Sequence, residues 1–175
     1  EDTEEWWRNA GEICRALVAK AGDADAIAAV GVTGMLPAVI LLDRTGRPLR
    51  RSIQQNDARA TKELGAYRAA MDESDFLSLT GTGYSQQLVG PKLMWLKRHE
   101  PEVYAATRHV LGASDFITHR ITASIGVEHN WALESGFVKL PTGAYEPRLV
   151  ALADIDRAVL PPIRDSQQIV GSVTP

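Results

Sequence analysis

Residues 38–59 read AVILLDRTGRPLRRSIQQNDAR, and this stretch decides the fold class. The apolar runs at 38–43 and 48–53 flank RTGR, a pattern typical of two strands joined by a tight turn with Gly46 at its tightest position. Upstream, AIAAVGVTG at 26–34 is a continuous apolar run, which predicts a strand buried on both faces. Three strands among predicted helices indicate an α/β protein.

The first helix is predicted at 2–20, where apolar residues recur at helical spacing. Asp2 is the expected cap, Glu5 the partner that completes a capping box, and Ala21-Gly22 the end of the helix. The Cys14 thiol lies on the apolar side and is expected to be buried. The apolar stripe consists of Trp6, Trp7, Ala10, Ile13, Cys14 and Leu17.

The second half of the chain is predicted to be mostly helical. Helices are expected at 57–71 with Asp57 as cap, at 90–107 in two pieces broken at Pro101, within 108–122 after a short strand and capped by Ser114 or Asp115, and at 149–163, stopped by Pro161-Pro162. TGTGYS at 80–85 is predicted to be a loop, and 123–148 to be irregular.

The composition bounds the function. A chain of 175 residues with 45% hydrophobic and 23% charged residues is long enough for one globular domain with a sizeable core. A net charge of -3 gives no reason to expect nucleic acid or an anionic membrane as partner. No stretch approaches the roughly 20 apolar residues of a membrane span. The arginines at 44–51 are interpreted as a solvated hairpin rather than a binding patch.

Cysteine content and the ends of the chain bear on its location. The single cysteine excludes an internal disulfide and favours a reducing compartment, so a cytoplasmic protein is expected. The chain opens on EDTEEWW without an initiating Met or a signal peptide and closes on GSVTP. We expect it to be a piece of a longer protein.

Two stretches are candidates for ligand binding. In NDAR at 56–59, Asp57 can cap the following helix. Alternatively, Asn56 and Asp57 can bind adjacent hydroxyl groups while Arg59 holds the carboxylate in place. The two interpretations are compatible. GVTGMLP at 31–37 follows a predicted buried strand, where α/β sheets bind ligands, although close backbone packing explains its glycines equally well.

Other chemistry finds little support. The sequence contains no GxxxxGK[ST], GxGxxG, CxxC or HExxH motif. The four histidines, His99, His109, His119 and His129, are spaced ten residues apart and cannot share one helix face. A metal site is therefore not expected.

The order of these motifs resembles the FGGY family of carbohydrate kinases, and within it the xylulose kinases. The resemblance covers nearly the whole chain and is most specific around Lys92 and Trp95, the latter expected in the core. The matching stretches are EDTEEWW, AAVGVTG, LLDRTGRPLRRSI, NDAR, GPKLMWLKRHEPEVY and LGASDFITHRIT.

The resemblance implies an actin-like ATPase fold of two ribonuclease-H-like domains, with residues 1–175 forming the N-terminal, sugar-binding domain. It also implies phosphoryl transfer from ATP and Mg²⁺ to a sugar hydroxyl, with an Asp as base. The first hairpin with its phosphate loop would precede Glu1, and the base and the ATP domain would follow Pro175. No catalytic residue is therefore expected in this chain, and the 175 residues alone are expected to be inactive.

By the same resemblance, Leu36 and Pro37 fall on a sugar-contacting Met-His pair, and Asn56 and Asp57 on a sugar-contacting Asn-Asp, supported by Arg59. Several positions depart from the family: Pro37, Gln55, where a Trp is common, Gln87, Val89 and the segment 127–135. The departures leave the substrate as xylulose, another pentulose or a polyol.

Three function classes remain open on the sequence. The parent protein is a sugar kinase, or a non-catalytic sugar-binding module or decayed kinase, or a structural actin-like scaffold. The polar cluster NDAR at a strand end argues against the scaffold. A small-molecule sugar is the expected partner, and a homodimer is left open.

Overall fold

The protein was analysed as a computed structural model that describes residues 1–174. The helices are α1 (Thr3–Ala21), α2 (Thr61–Ala70), α3 (Glu73–Thr80), α4 (Val89–His99), α5 (Pro101–Ala106), α6 (Ala113–Thr122), α7 (His129–Glu134) and α8 (Pro147–Leu152), followed by a 3-10 turn at Arg157–Val159. The strands are β1 (Ile40–Leu42), β2 (His109–Leu111), β3 (Val127–Glu128), β4 (Val138–Lys139), β5 (Ala144–Tyr145) and β6 (Ile163–Arg164).

Strand β1 is the centre of the fold. It pairs antiparallel with β2, with Ile40 opposite Leu111. Its other edge is bridged by Val39–Ile53 and by Leu42–Pro48. Because both edges are hydrogen-bonded and its side chains are at most 1% exposed, β1 is a buried strand in spite of its three-residue length. Two further two-stranded pairs form, β3 with β6 in parallel and β4 with β5 antiparallel.

The predicted hairpin is confirmed. The Asp43 side chain accepts hydrogen bonds from the backbone and hydroxyl of Thr45 and from the Arg47 backbone, and these bonds lower the pKa of Asp43. Gly46 adopts a φ of 79°, a left-handed conformation that a side chain would disfavour. The chain then returns along β1, where the Leu49 amide donates to the Leu41 carbonyl at 2.9 Å.

Helix α1 is confirmed at both ends but not along its apolar face. The Asp2 carboxylate accepts from the Glu4 amide at 2.9 Å, and Gly22 ends the helix with a φ of 80°. Among the described hydrogen bonds, none joins Glu5 to Asp2, so the capping box is wrong. Trp7 lies against α6, with the Arg120 guanidinium 5.0 Å from its ring, whereas Cys14 is exposed and not buried.

The strand predicted at 26–34 does not form among the described residues. This segment has no regular secondary structure and is mostly exposed, with Val30 53% accessible. A strand buried on both faces needs neighbours at both edges and covering layers, and residues 1–174 do not place them there. Near the end of the segment the chain approaches the rest of the fold, since a Cβ on Gly34 would lie 2.9 Å from the Ser114 backbone nitrogen.

Helix α2 begins at Thr61, not at Asp57. The residue before it, Ala60, has no side-chain bond to the helix. Asp57 is therefore not a cap, because its carboxylate is occupied elsewhere. The sequence analysis missed α3, although Asp72 caps it by accepting from the Ser74 amide at 2.8 Å and Gly81 ends it.

The remaining helices agree with prediction in part. α4 and α5 meet at Pro101 as expected. α6 is capped at Gly112 rather than at Ser114 or Asp115, but the Asp115 carboxylate does accept from the Gly112 amide at 3.0 Å. The region 123–148, predicted to be irregular, contains α7 and short strands, and the helix predicted at 149–163 ends at Leu152.

No helix among the described residues has the length and apolar character needed to cross a membrane.

Helices α2 and α4 pack through a glycine. A Cβ on Gly90 would overlap the Tyr67 hydroxyl and lie 3.3 Å from the Ala153 side chain. Tyr67 is itself 2% exposed and packs edge-on against Phe76 and Tyr84. By contrast, a Cβ on Gly65 of α2 would meet open space.

We predict that Gly90→Ala lowers the free energy of unfolding of the chain by about 1–3 kcal/mol, because the methyl group forces Tyr67 out of place. Gly65→Ala is the matched control, and we expect it to raise stability by about 0.5–1 kcal/mol through the lower entropy of the unfolded chain. Chemical denaturation measures both. Equal effects of the two substitutions would contradict this account of the packing.

Candidate active site

The pairing of β1 brings the candidate residues to one end of the fold. In an antiparallel pair, residues that precede one partner lie beside residues that follow the other. Since Val39 is opposite Ile53, residues 36–37 and the segment that starts at Gln54 adjoin the same end of this pair. Pro37 is buried and Leu36 half-buried. The two stretches that the sequence analysis singled out thus adjoin the same end of β1.

Residues 54–57 form a turn that is closed by a hydrogen bond from the Asp57 amide to the Gln54 carbonyl at 3.2 Å. Asn56 is exposed at the tip of this turn, and Asp57 is half-buried. The primary amide of Asn56 can both donate to and accept from a ligand.

Asp57 is fixed by Arg59. The Asp57 carboxylate accepts from the Arg59 backbone at 3.0 Å, from Nε at 2.9 Å and from Nη2 at 2.8 Å. The hydrogen bonds from the guanidinium lower the pKa of the Asp57 carboxyl and raise that of Arg59. Asp57 therefore stays ionised at neutral pH, and the bidentate geometry limits its rotation.

Arg59 in turn rests on α4. Its guanidinium carbon lies 4.8 Å from the centroid of the Trp95 ring, a cation–π contact. Trp95 also stacks on His99, with centroids 4.7 Å apart. Trp95 is half-buried and packs against the core, so its expected place within the core is confirmed only in part. The ring also supports the side chain that holds Asp57.

Lys92 is the site residue to which the sequence analysis assigned no role. It is fully buried, and its ammonium Nζ donates to the carbonyls of Gln54 at 2.9 Å, Gln55 at 3.1 Å and Gln87 at 3.3 Å. Burial lowers the pKa of Lys92 to about 8, against the attraction of the Asp57 carboxylate, which opposes the shift. A lysine in an amphipathic helix is ordinarily read as exposed, so the sequence offered no signal of this contact except its place in the family-like motif.

The segment 127–135 lies beside Pro37. Its Trp131 is fully buried and donates from Nε1 to the Ala38 carbonyl at 2.9 Å. Glu128 caps α7 through the Asn130 and Trp131 amides, and the Glu128 amide donates to the Asp115 carboxylate at 2.8 Å. The position of Pro37 therefore depends on a segment that is more than ninety residues away in sequence.

These residues provide a polar, partly open surface rather than a complete reaction centre. Within residues 1–174, no three His, Cys, Asp or Glu side chains come close enough to hold a metal ion. His99, for instance, stacks on Trp95. What the site offers is an amide and an ionised carboxylate, which together suit adjacent hydroxyl groups.

Comparison with known proteins identifies the family of the chain. The profile of the FGGY family of carbohydrate kinases, N-terminal domain, matches residues 1–175. The chain is 26% identical over 175 residues to the xylulose kinase of Escherichia coli K12, and 30% identical over 181 residues to the L-xylulose/3-keto-L-gulonate kinase of the same organism. These alignments cover 100% and 99% of this chain, but only 36% and 35% of the two relatives.

A solved structure shows the same fold. The crystal structure of xylulose kinase from Rhodospirillum rubrum superposes with a TM-score of 0.95 at 45% sequence identity and covers 99% of this chain and 36% of that protein. The architecture is accordingly α/β and belongs to the actin-like ATPase fold. The chain spans about a third of the length of the relatives that it matches.

The buried charge of Lys92 predicts an unusual pH dependence. The folded-state pKa of about 8 lies below the unfolded value of 10.5, so the unfolded chain holds more protons between these limits. Stability relative to Lys92→Met is therefore expected to rise as pH increases from about 8 to 10.5, by up to roughly 3 kcal/mol. Denaturation curves of both proteins across this interval measure the difference.

Lys97→Met is the control on the same helix. Lys97 is exposed and bonded to Asp154, which raises its pKa, so no comparable rise is expected for this pair. If the difference between wild type and Lys92→Met stays flat with pH, the ammonium of Lys92 is not desolvated as described.

Proposed function

The chain belongs to the FGGY family of carbohydrate kinases, and from that premise we propose that the protein carrying it transfers phosphate from Mg-ATP to a hydroxyl group of a small sugar. The proposed acceptor is xylulose or another pentulose or polyol. The observation that supports the proposal is the turn at 54–57, which presents an exposed Asn56 and an ionised Asp57 held by Arg59.

In this proposal the residues of the chain bind and orient the sugar. Asp57 accepts hydrogen bonds from sugar hydroxyls, Asn56 donates and accepts, and Arg59 keeps the carboxylate in one orientation. Leu36 and Pro37 form the wall opposite the turn. Holding the acceptor hydroxyl in a fixed position supplies much of the rate of a phosphoryl transfer, since the protein has little covalent chemistry to perform.

We also propose that residues 1–175 act as the sugar-binding domain of a longer enzyme. The base and the ligands of Mg-ATP would then come from the two thirds of the relatives that this chain does not match. In this arrangement the 175 residues alone do not hydrolyse or transfer phosphate from ATP, and closure of a second domain excludes water from the sugar.

The departures at the site bear on which sugar is bound. Pro37 offers no side-chain donor, so one hydrogen bond that a His would provide is absent. Gln55 supplies an amide where an aromatic ring is common, which replaces a flat apolar contact by a polar one. Together these changes leave the proposed acceptor as xylulose, another pentulose, a polyol or a related open-chain sugar.

A non-catalytic sugar-binding module is the second candidate. It is favoured by the same departures at Pro37, Gln55 and 127–135, because a protein released from catalysis no longer needs the contacts of the reactive geometry. This candidate predicts sugar binding without turnover, whereas the kinase predicts both.

The experiment is an ATP-consumption assay on the whole protein that carries this chain, with D-xylulose, L-xylulose, xylitol and D-gluconate as acceptors. Turnover with one of them above the rate without sugar supports the kinase. Binding of a sugar by calorimetry without any turnover supports the module. The absence of both binding and turnover with every sugar of the panel would contradict the proposed sugar site.

Asp57→Ala in the whole protein is expected to raise the sugar KM at least about tenfold, since the variant loses charged hydrogen bonds worth about 1.5–3 kcal/mol. The ATP KM should stay unchanged, because Asp57 has no part in nucleotide binding. Steady-state kinetics in both substrates measure this. Asp75→Ala, an exposed carboxylate in the first turn of α3, is the control. Unchanged sugar kinetics in Asp57→Ala would show that the sugar binds elsewhere.

A further inference from the structure

The surroundings of the Lys92 ammonium are unusual. A buried lysine is ordinarily paired with a carboxylate, but here the described hydrogen bonds of Nζ all go to backbone carbonyls. An ammonium group has three donors and no acceptor, and each of the three is used. Lys92 thus holds the main chain of these residues, and its hydrogen bonds do not depend on which side chains the residues carry.

Two of these carbonyls belong to the turn of the candidate site. The Gln54 carbonyl also accepts a hydrogen bond from the Asp57 amide, so the ammonium binds the same oxygen that closes the turn. The Gln55 carbonyl belongs to the peptide that leads directly into Asn56. Any displacement of Nζ therefore moves the backbone from which Asn56 and Asp57 project.

The third carbonyl connects a second segment. Gln87 lies in the loop before α4, and its carbonyl accepts from the same ammonium at 3.3 Å. Trp95, three residues after Lys92 on the same face of α4, supports Arg59 and through it the Asp57 carboxylate. Helix α4 thus supports the turn in two ways. The Lys92 ammonium binds backbone carbonyls of the turn, and the Trp95 ring contacts Arg59, which binds the Asp57 carboxylate.

We propose that Lys92 is a positioning residue for sugar binding, which fixes the turn at 54–57 so that Asn56 and Asp57 meet the sugar in one geometry. The inference rests on the proposed function, since it takes the turn as the sugar site. Lys92 itself is buried beneath the turn and donates its hydrogens to main chain, so it acts through Asn56 and Asp57 rather than on the sugar. A shift of the turn by about 1 Å is enough to weaken a positioned site strongly.

The test is sugar binding by calorimetry to the whole protein, with D-xylulose, L-xylulose, xylitol and D-gluconate as probes. Lys92→Met keeps the length and the apolar stem but removes the donors. We expect its sugar Kd to rise at least about tenfold while its ATP Kd stays within about twofold of wild type. The matched control is Lys97→Met, which removes an exposed lysine of the same helix and is expected to bind sugar normally.

Comparison with Asp57→Ala separates the two claims. If Asp57→Ala weakens sugar binding and folded Lys92→Met does not, the positioning role is wrong and the proposed function stands. If neither variant changes sugar binding, the turn is not the sugar site and both claims fail. Loss of sugar and ATP binding together in Lys92→Met would mark a general loss of structure, and a measurement on the wild type then decides.

A measurement on the wild type covers the case in which Lys92→Met does not fold. In protein labelled with ¹⁵N at lysine Nζ, a buried ammonium exchanges slowly with solvent and is observed apart from exposed lysines. Saturation of the protein with sugar is expected to shift the Nζ resonance of Lys92, because sugar binding shortens its hydrogen bonds to the carbonyls of the turn. The Nζ resonance of Lys97 is expected to stay in place. An unshifted Lys92 resonance would overturn the proposal.

Discussion

The pairing of β1 along both of its edges is the constraint on which the rest of the structure depends. Four consecutive apolar residues, 39–42, are at most 1% exposed, and their backbone is bonded to β2 on one side and to the returning arm of the hairpin on the other. In an antiparallel pair, a shift of one residue would turn every side chain to the opposite face. The register between Val39 and Ile53 therefore also fixes the end of β1 that Pro37 and the turn carrying Asn56 both adjoin.

The site is held by interactions of different kinds on its two sides. On the side of Pro37, the indole of Trp131 donates to a backbone carbonyl inside an apolar core. On the side of the turn, a buried ammonium is solvated by carbonyl dipoles, and an arginine between Asp57 and Trp95 fixes the carboxylate. Desolvation of Lys92 is unfavourable, as its lowered pKa shows. Such an unfavourable group is common at functional positions, where geometry is maintained at the expense of stability.

Local signals in the sequence predicted local structure well. The hairpin follows from the turn around Gly46, the start of α1 from Asp2, and the break between α4 and α5 from Pro101. These features depend on residues within one turn of each other, so their physics is contained in the sequence window. The polar character of NDAR was likewise sufficient to identify a candidate site.

Features that depend on distant partners were not predictable in the same way. The apolar run at 26–34 has the composition of a buried strand, yet composition does not supply the neighbours that bury it. Asp57 has the residue type and spacing of a helix cap, but its carboxylate binds the guanidinium of Arg59, two residues later, and does not cap α2. Cys14 was assigned to the interior from helical periodicity, which indicates the apolar side of a helix but not whether that side is covered.

The central claim is that the turn at 54–57 binds the acceptor sugar. A crystal structure of the whole protein with the sugar selected by the binding panel tests this most directly. The account predicts sugar hydroxyl oxygens within about 3.2 Å of the Asn56 amide and the Asp57 carboxylate, with the Asp57–Arg59 pair intact. A sugar bound in a cleft without contact to residues 54–57 would contradict it.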